Sequence, residues 1–265
     1  MIDLHLHLLP GVDDGAATLD VSRSMLERAE SFGFTSLVAT PHLDGALTPA
    51  YERSVRSSMS TLLTVARDYP ISIELGYEIQ LAPDLPARLE AGERCRLGDS
   101  TAVLVELPFA GWPLFTEQTL FEVQAIGFRP LLAHPERYAA VQAEPEKAIE
   151  LAERGVLLQV TIGSLVGLFG KTAQRVAEFL LRENAATVLA SDAHSAGQRY
   201  MCVADGLARA TALIGTARLR QLVHDNPKAL LESRSLPSPA PTVAAVPDDR
   251  GWRKAFQRAT TRIRV

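Results

Sequence analysis

Apolar residues along the chain gather into short β-branched or leucine-rich runs separated by amphipathic stretches. This is the pattern of strands alternating with helices around a parallel sheet. Seven runs read as strands: IDLHLH at 2–7, SLVAT at 36–40, ISIELGYEI at 71–79, TAVLVEL at 101–107, RPLLAH at 129–134, VLLQVTI at 156–162 and TVLAS at 187–191. Between the first two runs, Thr18 is placed to N-cap a helix that buries Met25, Ala29 and Phe32. The segment AEPEKAIELAERG at 143–155 reads as a helix closed by a C-cap glycine. Seven β/α units with no obvious break predict a closed α/β barrel rather than an open sheet.

Near residue 233 the pattern is lost. SRSLPSPAPTVAAVPDD is rich in Pro, Ser and Ala and reads as a linker over 233–249, which leaves 1–232 as the predicted domain and 250–265 as a basic tail. In that tail Arg253, Lys254, Arg258 and Arg262 alternate with Trp252, Phe256 and Ile263. They predict either a short basic amphipathic helix that docks on an anionic membrane or a protein partner, or a solvated tail, since isolated helices this short are marginal in water.

Composition narrows the function classes. At 265 residues with 47% hydrophobic and 22% charged side chains, the chain is long enough to bury a large core. A net charge of −4 gives no global reason to bind nucleic acid or an anionic surface, so any anionic substrate needs a local positive site. No basic leader precedes an apolar stretch, and no apolar run approaches the eighteen or so residues that span a bilayer, so a cytoplasmic protein is expected. Two cysteines, Cys95 and Cys202, are too few for a disulfide framework.

The polar residues that interrupt the apolar pattern carry the chemistry. Five of the six histidines fall at or just past the ends of predicted strands: His5 and His7, His42 in ATPH, His134 in AHPERY and His194 in SDAH. Glu78 in GYEI, Glu106 in VELP and Asp192 in SDAH stand at equivalent places. Active sites of parallel α/β folds are built at those strand ends. A lone buried histidine is usually a satisfied core residue; convergence of eight such groups on one pole predicts a metal site.

Strand alternation places His5 and His7 on one side, with Leu4, Leu6 and Leu8 on the other. The glycine-flanked turn that follows can bring Asp14 back over them, while Asp13 is read as capping the turn. Imidazole and carboxylate ligands without thiolate suit Mn²⁺, Fe²⁺ or Zn²⁺, and nine ligands are too many for one ion. Three divalent ions held by four carboxylates would retain a net charge of about +2, which suits a phosphate dianion. A bridging hydroxide would then attack in line, with Arg137 and Arg199 as phosphate clamps. The bland alternative for each arginine is a salt bridge to a neighbour such as Glu136.

Other phosphate chemistries are excluded by spacing. A Walker A loop ending in Gly170-Lys171-Thr172 would need glycine where Leu165 stands. A thiolate phosphatase loop would need arginine where Thr101 or Ala208 follows the two cysteines, and no G-x-S-x-G elbow occurs.

The ordered set DLHLHLLPGVDDG, VATPH, GYEI, VELPF, LLAHPERY, LQVTIGSLVGLFG and SDAHS resembles the bacterial metal-dependent protein tyrosine phosphatases of the PHP (polymerase and histidinol phosphatase) superfamily, of the CpsB/YwqE type found with capsule and exopolysaccharide genes. The likeness runs from residue 1 to NPKALL at 226–231. It implies a distorted (β/α)7 barrel, a trinuclear site commonly read as manganese, and hydrolysis of phosphotyrosine on the tail of a bacterial tyrosine kinase that regulates polysaccharide export. It also implies His5, His7, Asp14, His42, Glu78, Glu106, His134, Asp192 and His194 as ligands, with Glu78 bridging and Arg137 and Arg199 on phosphate. Many relatives carry a second histidine where this chain has Leu43, so that position is dispensable here. A small-molecule phosphatase of the histidinol phosphate type, or a phosphodiesterase, is the alternative on the same site.

Overall fold

Both faces of most strands are covered, the edge strand Ser72–Leu75 excepted, which is why they read as near-continuous apolar runs rather than as alternating ones. The computed structural model describes residues 1–240. In it β1 (Ile2–Leu6), β2 (Ser36–Ala39) and β4 (Ser72–Leu75) form one sheet in the order β1-β2-β4. A second sheet has the order β3-β5-β6-β7-β8-β9, made of β3 (His42–Leu43), β5 (Glu78–Gln80), β6 (Ala102–Glu106), β7 (Arg129–Ala133), β8 (Leu157–Thr161) and β9 (Val188–Ala190). Every pairing is parallel.

The fold is thus mixed α/β with parallel sheets, but the expected single closed sheet is seen as two. The predicted strand at 71–79 is split at Gly76 and Tyr77, and Thr40 and Pro41 separate β2 from a short β3 that the sequence pattern did not reveal. Proline has no N–H to give to a ladder, and Gly76 is pressed so closely on Leu97 that a Cβ would lie 2.7 Å from Cδ2. Backbone bonding still crosses the breaks: Gly76 N–H donates to Ala39 O at 2.8 Å and Glu78 N–H to Pro41 O at 3.1 Å. On the far edge Leu6 bridges Ala193, flanked by His7 N–H to Ala193 O and Asp192 N–H to His5 O, both at 2.8 Å.

A second correction concerns β1. Its register against β2 shifts between Asp3 and Leu6, an irregularity of the bulge kind that re-aims side chains. Ile2 and Leu4 therefore pack in a small core cluster with Val38, Leu104, Leu131 and Val188, whereas Leu6 and Leu8 join the large outer cluster. Simple alternation would have kept Leu4 with Leu6.

Helices α1 (Leu19–Ser31), α2 (Pro49–Ala66), α3 (Leu85–Glu90), α4 (Thr116–Ala125), α5 (Ala139–Ala143), α6 (Glu146–Glu153), α7 (Gly170–Arg182), α8 (Gln198–Met201), α9 (Val203–Arg220) and α10 (Asn226–Leu231) fill the connections. Thr18 caps α1 as read, its hydroxyl accepting from Val21 N–H, and Met25 and Ala29 are buried while Phe32 closes the helix. Gly155, after α6, takes the left-handed conformation with φ 90°. Among the described residues no helix is long and apolar enough to cross a membrane. The basic tail at 250–265 and most of the linker lie outside the described residues.

Helix α9 crosses closely over the 3-10 turn Ile162–Val166, because Gly206 leaves room for it. A Cβ there would lie 2.4 Å from Ile162 Cγ2 and 2.7 Å from its carbonyl oxygen. Gly206→Ala is expected to destabilise the fold by about 1–3 kcal/mol, measured by denaturant unfolding.

Candidate metal centre

Each group read from the sequence leaves its strand at the same pole. His5 lies next to the last residue of β1 and His7 follows the strand, His42 opens β3, Glu78 opens β5, Glu106 closes β6, His134 directly follows β7, and Asp192 stands two residues past β9. The last two require unusual backbone. His134 (φ 35°) and Asp192 (φ 52°) are in the left-handed region, which costs a non-glycine residue about 1–3 kcal/mol and is stored mainly at functional sites. For His134 the bend starts the 3-10 turn Pro135–Arg137, closed by Arg137 N–H donating to His134 O at 2.9 Å.

Glu78 is the hub. Its Oε2 lies 3.1 Å from His5 Nε2, 3.2 Å from His7 Nε2 and 3.3 Å from His42 Nδ1, and its Oε1 pairs with His134 Nε2 at 2.8 Å. His42 Nδ1 is also 3.3 Å from Glu106 Oε1. At the rim Asp14 Oδ1 stands 3.3 Å from His42 Nε2 and 3.4 Å from His194 Nε2. Asp192 Oδ1 approaches His5 Nε2 at 3.5 Å and His7 Nε2 at 3.6 Å.

The donor atoms sort into four overlapping groups, each within 4.8 Å: His7, Asp14, His42 and His194; His5, Glu78 and His134; His5, His7 and Asp192; His42, Glu78 and Glu106. All nine residues read from the sequence are therefore in one place. The nitrogens His5 Nε2 and His7 Nε2 are buried and make no well-directed hydrogen bond, both facing the shared Glu78 Oε2. Two buried nitrogens that converge on one carboxylate oxygen fit a divalent cation.

Protonation follows from the same crowding. Burial pulls the His5 imidazole down, but the charges of Glu78 and Asp192 more than reverse this and lift it to about 10. His42 is likewise lowered by burial and lifted, by Glu106 and Glu78 above all, to about 9. His194 goes the other way, to about 4, through burial and the neighbouring His7. Burial would raise Glu78, but His5, His134 and His7 hold it well below the usual carboxylate range.

The two arginines do not pair with Glu136. Arg137 donates to Asp192 Oδ2 at 2.6 Å, and Arg199 to Asp192 Oδ1 at 2.8 Å and to His194 Nδ1 at 2.6 Å. Glu136 is buried instead, accepting from Ser164 Oγ at 2.7 Å and Thr161 N–H at 3.0 Å, so that it ties the exit of β7 to that of β8.

Sequence reasoning missed three contributors. Asp13 does more than cap a turn: it holds His7 Nδ1 at 2.7 Å and accepts from His42 N–H at 3.2 Å and Gly15 N–H at 3.0 Å. Gln159 accepts from His5 Nδ1 at 2.9 Å, which leaves Nε2 facing the carboxylates. Its signal was a lone amide in an apolar strand. Phe109 stacks on His134, and nothing in the hydrophobic pattern distinguished it. Cys95 is buried, its thiol pushed up to about 12, and takes no part.

Parallel strands that deliver imidazoles and carboxylates to one pole, beside two guanidiniums, define the class: a metal-dependent α/β hydrolase. Within that class the chain belongs to the capsular polysaccharide synthesis family CpsB/CapC, whose model matches residues 1–232. It is 30% identical over 239 residues to the tyrosine-protein phosphatase YwqE of Bacillus subtilis, covering 89% of this chain and 93% of that one. It is 25% identical over 238 residues to the tyrosine-protein phosphatase CpsB of Streptococcus pneumoniae, covering 87% and 98%. A solved chain described with the crystal structures of YwqE from Bacillus subtilis and CpsB from Streptococcus pneumoniae, unique metal-dependent tyrosine phosphatases, matches with a TM-score of 0.81 at 30% identity, over 92% of this chain and 100% of that one. The phosphotriesterase homology protein of Escherichia coli shares the fold alone, with a TM-score of 0.56 at 12% identity over 87% and 97%.

Ligation needs neutral imidazoles, yet without metal His5 and His42 hold their protons at pH 7. Metal binding at pH 7 is therefore expected to release protons, those of His5 and His42 at least, and to weaken as pH falls, measured by calorimetry in buffers of different ionisation enthalpy. Asp13→Ala, which frees His7 Nδ1, is expected to weaken metal affinity about 10–100-fold in the same titration.

Proposed function

We propose that the chain is a metal-dependent phosphotyrosine phosphatase, acting in the cytoplasm on the phosphorylated tail of a bacterial tyrosine kinase that regulates capsule or exopolysaccharide synthesis. The observation that carries the reading is the convergence of nine nitrogen and oxygen donors on one pole, beside Arg137 and Arg199, in a member of the CpsB/CapC family. The names of its relatives support phosphotyrosine as the substrate and the capsule as the setting.

His5, His7, Asp14, His42, Glu78, Glu106, His134, Asp192 and His194 would hold the metal. Three divalent ions, manganese first among them, would share donors, since His5, His7, His42 and Glu78 each belong to two of the four donor groups. When bound, such ions neutralise phosphoryl oxygens and make a water acidic enough to attack at neutral pH.

The chain's own part is binding and orientation. Asp192 anchors both guanidiniums, so their planar forks are set beside the donors before substrate arrives, in the geometry that suits phosphate oxygens. Asp13 and Gln159 fix the tautomers of His7 and His5 by engaging Nδ1, leaving both Nε2 atoms for ligation. Glu136, bonded to Ser164 and Thr161, holds the turn that carries His134 and Arg137. The two sheets read as one interrupted seven-unit barrel of the PHP type. The Leu6–Ala193 bridge supports this closure, and the family match supports 1–232 as the domain.

Manganese-loaded protein is expected to hydrolyse a phosphotyrosine peptide faster than histidinol phosphate or a bis-ester, and chelation is expected to abolish the activity. His42→Ala and Asp192→Ala are each expected to lower kcat/KM by more than about a hundredfold. A loss under about tenfold, or a preference for either other ester, would overturn the reading.

A further inference from the structure

Phe109 has no part in the chemistry proposed above, yet it is built into the site. It stands three residues beyond Glu106, at the exit of β6, and is 46% exposed. Its ring stacks on His134 with centroids 5.5 Å apart at 27°, and Tyr138 lies 5.9 Å away. Arg137 Cζ sits over it at 4.7 Å and over Phe169 at 4.3 Å. The Phe109 carbonyl accepts from Ala139 N–H at 3.0 Å, which ties this loop to the segment just after Arg137. An aromatic ring pinned from the site side while nearly half of it stays open is available to a ligand's apolar surface.

We propose that Phe109 is a specificity-determining residue: its ring is the wall on which the aromatic group of an aryl phosphate rests, so that aryl esters are selected over alkyl esters. The inference rests on the phosphatase reading. A phosphoryl group engaged by Arg137 is joined to its aromatic ring by a single ester oxygen, so that ring must fall beside whatever flanks Arg137. Aromatic pairs favour offset or edge-on contact with centroids about 4.5–7 Å apart, a spacing an aryl group reaches and a seryl carbon chain does not fill. Phe169 differs: it is partly buried, and both Arg137 and Arg199, the latter at 5.5 Å, lie over it, so it positions the guanidiniums.

The test compares the manganese-loaded full chain with Phe109→Ala and Phe109→Tyr on phosphotyrosine and phosphoserine peptides of one sequence. Competitive inhibition by inorganic phosphate, which has no ring, reports on the guanidiniums and donors alone. Phe109→Ala is expected to lower kcat/KM for phosphotyrosine roughly tenfold, mainly through KM, and to narrow the preference over phosphoserine by the same factor. The phosphate inhibition constant is expected to move by less than about twofold, and Phe109→Tyr to restore the preference. Equal losses on both peptides with a parallel rise in the phosphate constant would overturn the proposal, leaving Phe109 as support for Arg137. An unchanged preference in Phe109→Ala would overturn it too, with the phosphatase reading intact. A wild-type chain that does not favour the phosphotyrosine peptide would overturn both.

Discussion

A single buried carboxylate, Glu78, is surrounded by His5, His7, His42 and His134, and the charge it carries has to be matched inside the protein rather than by water. Burying an unpaired charge costs several kcal/mol, and breaking a buried pair costs about 3–5 kcal/mol. The four imidazoles come from β1 and its continuation, from β3 and from the exit of β7, so pairing Glu78 constrains how those strands meet. Protons meet that demand in the metal-free protein, and divalent cations compete for the same atoms. The identity of the ligand set and its response to pH are therefore two sides of one electrostatic requirement.

Strain is placed where it serves this arrangement. Left-handed backbone at His134 and Asp192 turns the chain sharply at the ends of β7 and β9, and each bend is held by contacts made elsewhere. Glu136 bonds to Ser164 and Thr161 and secures the first bend. Asp192 N–H donates to His5 O, and the Leu6–Ala193 bridge follows it, securing the second. The interrupted sheets express the same compromise: regular ladders give way at Thr40–Pro41 and at Gly76–Tyr77, just before His42 and Glu78 enter the site.

Much of the fold was legible because parallel strands covered on both faces must be apolar throughout, which makes runs such as VLLQVTI stand out. The candidate ligands were legible for the converse reason. Imidazoles and carboxylates at the ends of such runs have no place in a core unless something pairs them. Features that depend on a partner distant in sequence left no trace in periodicity. The register shift of β1 exists only against β2, and it moves Leu4 away from Leu6. Asp13 looked like a turn residue because its bonds to His7 and to the backbone of His42 need the turn folded back on the site.

The sequence by itself determined the strand and helix alternation, the absence of thiolate chemistry and the nine nitrogen and oxygen donors, since each follows from local pattern and residue type. Tertiary structure alone decided which donors share an oxygen, that Asp192 rather than Glu136 receives the arginines, and that Phe109 stands over Arg137. The physical reason is distance: charge pairing and ring contacts act over a few ångströms, and residues on different strands reach that separation only when the strands have closed on one another.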